Sequence, residues 1–228
     1  MKTLPEVKST LDQKGHLLLL AALLLMIAVS PFLYQHAAYS WLLSILLVLI
    51  MLAAASTVVQ ERRPFLVSLV FGIPALVSQV AVMGIESDWL ELTRFISTAA
   101  FLLWVCGLLL RDIIIRSRTV TLNLLIGVIN VYLMIGVAFA FVYGLIEFLQ
   151  PGSFTGLESL AAIPDRILYF LYFSFITMST LGYGDISPLT PYGMTASYLE
   201  AILGQLYLAI LVARLVSIYI GPSAPAKE

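Results

Sequence analysis

The sequence predicts an all-α membrane protein with six membrane-spanning helices and one shorter apolar helix that enters only part-way. Three observations carry this. Of 228 residues, 61% are hydrophobic and 11% charged, and mean hydropathy is +1.02, far more apolar than soluble domains. The apolar residues fall into runs of bilayer-spanning length. The basic residues collect in alternate connections, as expected when they are retained on one side of a membrane.

The first span is expected at Leu17 to Leu33 and the second at Trp41 to Val59. The third runs from Phe65 to Ile85, opened by Pro64 and kinked at Pro74. The fourth is Leu92 to Leu110, and the fifth, about Val120 to Phe148, is long enough to tilt. Gln150 to Asp165 is polar and carries Pro151, Gly152, Gly156 and Pro164, so it reads as a surface loop. Arg166 to Met178 is apolar but too short to cross. The last span begins at Pro191 with Thr190 as N-cap and ends near Ile220, before Gly221-Pro222.

With the N-terminus inside, Lys2, Lys8, Lys14, Arg62, Arg63, Arg111, Arg116, Arg118, Arg214 and Lys227 share the inner side, leaving Arg94 and Arg166 outside. Glu86, Asp88, Glu91, Glu147, Glu158, Asp165 and Asp185 fall on the outer side. The lysines before the first apolar run resemble the start of a signal peptide. Glu6 and Asp12 dilute them and no small-residue cleavage site follows, so the first run is expected to be a true span. A net charge of -1 implies no nucleic-acid partner. The single cysteine, Cys106, reads as a small buried hydrophobe, and His16 and His36 as interfacial residues at helix ends.

Between the short apolar helix and the last span lies Thr180-Leu181-Gly182-Tyr183-Gly184-Asp185. Gly182 and Gly184 permit a backbone that alternates between ordinary and left-handed dihedrals. A bare Gly-Tyr-Gly reads most simply as a tight turn, but here the flanking Thr180, Asp185 and both helices form one pattern. That pattern resembles the selectivity filter of bacterial potassium channels, where rings of backbone carbonyls replace the water around the ion. The resemblance covers about Val120 to Ile220: outer helix, pore helix, filter, inner helix. The four helices before it match six-helix channels in number and orientation only.

The resemblance implies that K+ is the permeating ligand and that no cofactor is needed. The carbonyls of Thr180, Leu181, Gly182 and Tyr183 would bind it, with the Thr180 hydroxyl as innermost ring and Gly184 completing the filter. Tyr183 would brace against Tyr169, Phe170, Tyr172 and Phe173, with Asp185, Tyr172 and Phe173 as filter support. A ring of carbonyls needs this chain and three identical subunits, a homotetramer. Leu181 stands where the commonest family form has Val, and a weakly selective monovalent cation channel is the alternative reading.

On the last helix, 100° per residue puts Ala201, Gly204, Gln205, Leu208, Val212 and Leu215 on one face. By the resemblance that face lines a cavity and inner gate, with Gly204 either a hinge or a close-packing site. Glu200, Tyr207 and Arg214 form a neighbouring stripe. An ionised acid near mid-membrane is costly, so Glu200 is expected to be protonated or hydrogen-bonded to the back of the pore helix, with a pH sensor as the sharper alternative. Arg214 is expected to snorkel to lipid phosphates.

The fourth helix carries Arg94 at its outer end and no basic ladder, so strong voltage gating is not expected. The expected organisation is 1–16 cytoplasmic N-terminus, 17–118 four-helix region, 119–220 pore module and 221–228 short cytoplasmic tail, too short for a regulatory domain. Location is expected in a bacterial inner membrane, multi-pass, with both termini cytoplasmic and lipids as partners. No His-Glu-x-x-His, serine-nucleophile motif or paired acids within the helices argue for an enzyme.

Overall fold

A computed structural model of the chain describes residues 4–35, 40–58, 62–116, 120–157 and 166–220. Its helices are α1 (Leu4–Gln35), α2 (Ser40–Val58), α3 (Arg62–Ala81), α4 (Asp88–Arg111), α5 (Leu122–Leu149), α6 (Ile167–Met178) and α7 (Pro191–Ile220). A π-helical turn, Asp112–Arg116, continues α4, and two short strands, β1 (Phe154–Thr155) and β2 (Ser187–Pro188), flank α6. His36, Glu158, Asp165 and the 221–228 tail lie outside the described residues.

Four described helical segments are long and apolar enough to cross a membrane: Arg63–Ala81, Asp88–Ile115, Leu122–Leu149 and Pro191–Ile218. The apolar parts of α1 and α2, Lys14–Ser30 and Trp41–Thr57, are shorter, as is α6. The helix α1 begins at Leu4, so the segment expected to precede the first span is helical from there. His16 therefore lies within α1 and not at its end, because the polar residues before it extend the same helix.

Local chemistry sets several of these ends. Asp88 and Glu91 sit in the first turn of α4, where carboxylates oppose the unpaired amides. Thr121 caps α5 by accepting from the Leu124 amide at 3.2 Å. Thr190 caps α7, its hydroxyl accepting from Gly193 N at 3.4 Å and its carbonyl from Met194 N at 2.9 Å. Pro191, which lacks a donor, takes the first helical position.

Helices adjacent in sequence pack together from α1 to α5, and α5 also holds α1, α6 and α7. In α5, 72% of the apolar window is buried, against 11% in α7. The fifth helix is therefore the core of the chain, while α7 leaves most of its surface uncovered. Glycines let rings approach the α5 backbone: a Cβ at Gly144 would stand 2.5 Å from Phe95, and one at Gly136 2.6 Å from Phe175. Polar bonds add specificity between helices. Gln79 donates to Ser44 at 3.0 Å, Trp104 to Ser68 at 3.2 Å, and Asn130 of α5 to the His16 carbonyl of α1 at 2.8 Å. Each such bond contributes about 0.6–2 kcal/mol in membranes.

Candidate functional site

At the end of α6 the backbone leaves the helix in a way that sets the following loop. Ser179 N donates to Phe175 O and Thr180 N to Thr177 O, both at 3.0 Å. The amides of Leu181 and Gly182 then both turn back to the Ile176 carbonyl, at 2.9 and 3.2 Å. Left-handed φ angles occur at every second residue: Thr180 at 59°, Gly182 at 50° and Gly184 at 80°. Such alternation turns successive amides toward one side, where they cradle a negative atom. Here that atom is the Ile176 oxygen, which the Leu181 and Gly182 amides share.

A Cβ at Gly182 or Gly184 would meet nothing within 4 Å. Glycine is demanded there by φ and not by space. Among the described residues Thr180 is the one non-glycine with a left-handed φ. For a β-branched residue this costs on the order of 1–3 kcal/mol, and such strain persists where surroundings over-determine it. The sequence reading assigned Thr180 a carbonyl and a hydroxyl but missed its backbone, because no composition signal marks a threonine as left-handed.

The far end of the loop is stitched to the segment after α5. The Tyr172 hydroxyl donates to Asp185 Oδ2 at 2.6 Å. The strand β1 pairs antiparallel with β2, Phe154 opposite Pro188 and Thr155 opposite Ser187. Gly156, at φ 83°, presses directly on the Asp185 carbonyl, leaving no room for a Cβ. Ser153 is fully buried at this junction. Its carbonyl accepts from Leu189 N at 2.8 Å and its hydroxyl from Thr190 at 3.1 Å. Glu147, expected among the outer-loop acids, is instead buried in the last turn of α5. Its carboxylate accepts from Gly152 N at 3.0 Å and Ser153 N at 2.9 Å, with Arg166 3.7 Å away.

Within one chain the expected aromatic set divides, with Tyr172 near Tyr183 and the phenylalanines turned elsewhere. Tyr183 is 69% exposed. Phe173 is buried with its ring 4.9 Å from Tyr143 and 5.6 Å from Phe154, and Phe170 lies 5.2 Å from Phe154. These rings join α6 to α5 and β1, because α6 is tucked against α5 and its inward face is consumed there. Within the chain, Tyr172 is the member of the expected set that reaches the loop.

Glu200 is wholly buried and joins three helices. Tyr143 of α5 meets its Oε2, and Ser174 of α6 meets its Oε1. Ser174 Oγ also lies 2.7 Å from the Gly136 carbonyl. Three oxygen–oxygen contacts require three hydrogens, and Ser174 and Tyr143 bring one each. The third is supplied when Glu200 is protonated and donates to Ser174 Oγ, freeing the serine hydrogen for Gly136. On the same stripe, Tyr207 donates to the Val128 carbonyl at 2.6 Å.

The expected cavity face is divided. Gly204 is buried against the end of α6, where a Cβ would lie 2.8 Å from the Met178 carbonyl oxygen. It belongs to a helix contact and not to the open face, since its 60° offset from Tyr207 turns it to α6. Gln205 is exposed, with Nε2 3.5 Å from that carbonyl. Ala201 is half-buried, and Leu208 and Val212 are exposed. Arg214 is half-buried beside the end of α4.

This geometry of helix, alternating loop and helix coincides with a family match. Residues 131–220 match the family model described as ion channel. The segment is similar to ion channels. A curated relative, the inward rectifier potassium channel Kirbac3.1 of Paramagnetospirillum magnetotacticum, is 32% identical over 117 residues, half of this chain. The chain spans about a third of that relative's length, 34%. No solved structure matches. Together the two matches support a bacterial potassium-channel family for this membrane protein. The ion-channel segment begins within α5 and takes in the whole of α6, the loop and α7.

Proposed function

We propose that the chain is the subunit of a potassium-selective channel that passes K+ passively down its electrochemical gradient. The observation that carries the reading is the left-handed backbone at Thr180, Gly182 and Gly184 with the Leu181 and Gly182 amides tied to Ile176. It frees a column of carbonyls for an ion stripped of water. The carbonyls of Thr180, Leu181, Gly182 and Tyr183 are the binding rungs in this reading. Asp185 and Tyr172 hold the outer end. One chain contributes one strand, so four copies complete the ring, consistent with the bare surface of α7.

Ala201, Gln205, Leu208 and Val212 line the inner cavity in this assignment, with Gly204 the contact that fixes α7 to the pore helix. The layout is six spans, α1 to α5 and α7, in an inner membrane with both termini cytoplasmic, in keeping with the distribution of Lys and Arg. The four-helix region serves as an assembly and lipid-facing scaffold and not as a strong voltage sensor. Glu200 acts structurally behind the filter.

Rubidium flux into liposomes containing the purified protein alone tests the conclusion. Flux that fails to exceed empty liposomes overturns it. Reversal potentials in matched potassium and sodium distinguish selective conduction from the weak cation selectivity that Leu181 invites.

A further inference from the structure

Between the four-helix region and the pore module lies an apolar groove with a volume of about 370 Å³. One wall is α4 at Leu103, Cys106 and Gly107; the other is α7 at Leu203, Leu206 and Ile210. Its floor is α5. Three features distinguish it from an ordinary helix crevice. A Cβ at Gly107 would meet nothing within 4 Å, so the glycine opens depth that no other side chain fills. The helix widens into its π turn where Ile113 and Ile114 enter the lining, a distortion that recurs at functional sites. At that same end the lining finishes on Arg214, while Arg111, which closes α4, is paired with Asp112 at 3.2 Å.

All three walls are helices read as membrane spans, so the medium that reaches the groove is lipid. Its sides suit an acyl chain, and the guanidinium at one end suits a phosphate. We propose that this groove is a binding site for an anionic phospholipid, its chain lying along Gly107 and its headgroup held by Arg214. The bound lipid then fills the seam between α4 and α7, and joins the four-helix region to the pore module. The proposal rests on the membrane reading, and its test reads lipid retention without reference to conduction.

Native mass spectrometry of the purified protein in detergent, after incubation with equal phosphatidylglycerol and phosphatidylcholine, provides that test. The wild type is expected to retain phosphatidylglycerol preferentially, by about fivefold for one basic residue at the headgroup. Gly107→Phe, which fills the groove from α4, should lose both lipids. Leu203→Trp fills it from the opposite wall and should do the same. Arg214→Gln should keep a lipid but lose the preference. Val70→Phe, on a residue 67% exposed on α3 and outside the groove, should match the wild type. Circular dichroism and gel filtration identify folded, assembled variants. Unchanged retention in both groove-filling variants overturns the site, and so does an equal loss in Val70→Phe. If a second copy's helix occupies the groove, the filling variants lower the assembly mass without changing lipid retention, which also overturns the proposal.

Discussion

Gly204 of α7 and Met178 of α6 meet with no space for a side chain between them: a Cβ at 204 would stand 2.5 Å from Met178 Cγ and 2.8 Å from its carbonyl oxygen. The methionine side chain can move aside, but the backbone oxygen is fixed by the end of α6. Gly204→Ala should therefore push α7 away from the start of the Thr180–Asp185 loop. Overpacking of this kind costs about 1–3 kcal/mol. Thermal unfolding of the purified assembly should shift downward and rubidium flux should fall. An alanine variant with wild-type melting and flux would show that the contact is slack.

Gly182 has a left-handed φ and open space around its Cβ position. Gly182→Asp should leave folding and assembly intact but oppose the required backbone and bring a carboxylate to the loop. Potassium conduction should be abolished while gel filtration is unchanged. Selective potassium flux through this variant would remove the loop from the ion pathway.

Glu200 offers a test of the hydrogen count. In Glu200→Gln the amide nitrogen can donate to Ser174 and the amide oxygen can accept from Tyr143, so all three contacts survive. In Glu200→Ala the Tyr143 and Ser174 hydroxyls both lose their carboxyl partner, and of its two side-chain partners Tyr143 keeps Ser197 alone. An unsatisfied buried group of this kind costs about 1–3 kcal/mol. Glutamine should melt and conduct like the wild type, and alanine should do both less well. A glutamine variant as damaged as alanine would mean that Glu200 is needed as a charge.

Arg94 is buried near the N-terminal end of α4, paired with Glu91 at 2.9 Å and lying 5.0 Å from the centre of the Phe95 ring. The next basic residue on that helix is Arg111 at its other end. With no charge between them to carry across the field, open probability should vary shallowly between strongly negative and positive potentials. A steep dependence in the absence of internal blocking ions would contradict this.

Much of the helical order could be read in advance. Runs of apolar residues marked α3, α4, α5 and α7, the short α6 declared itself by length, and Thr190-Pro191 announced the start of α7. What escaped depended on partners. Residue periodicity places Gly204 at an angle on its helix but does not say that the neighbour at that angle is Met178. Phe173 could be seen to be near the loop in sequence, yet its ring turns to Tyr143, which lies on another helix. Strands of two residues, Phe154–Thr155 and Ser187–Pro188, leave no alternating pattern. Their pairing is fixed by Gly156 and Ser153, whose roles emerge only when the two loops meet. Glu147 looked like a loop acid because backbone amides, its actual partners, have no signature in sequence.

The bond from Asn130 to the His16 carbonyl joins residues 114 apart along the chain. During synthesis at about 5–20 residues per second, roughly 6–23 s separate the appearance of these two residues. Over that interval α1 has α2 to pack against, while its second partner α5 has not been made. The fifth helix then arrives to close the front of the molecule before α6 and α7 exist to cover its other side. A lesion at Asn130 should accordingly register as poor yield of inserted protein, at a stage when the residues that would conduct ions have yet to leave the ribosome.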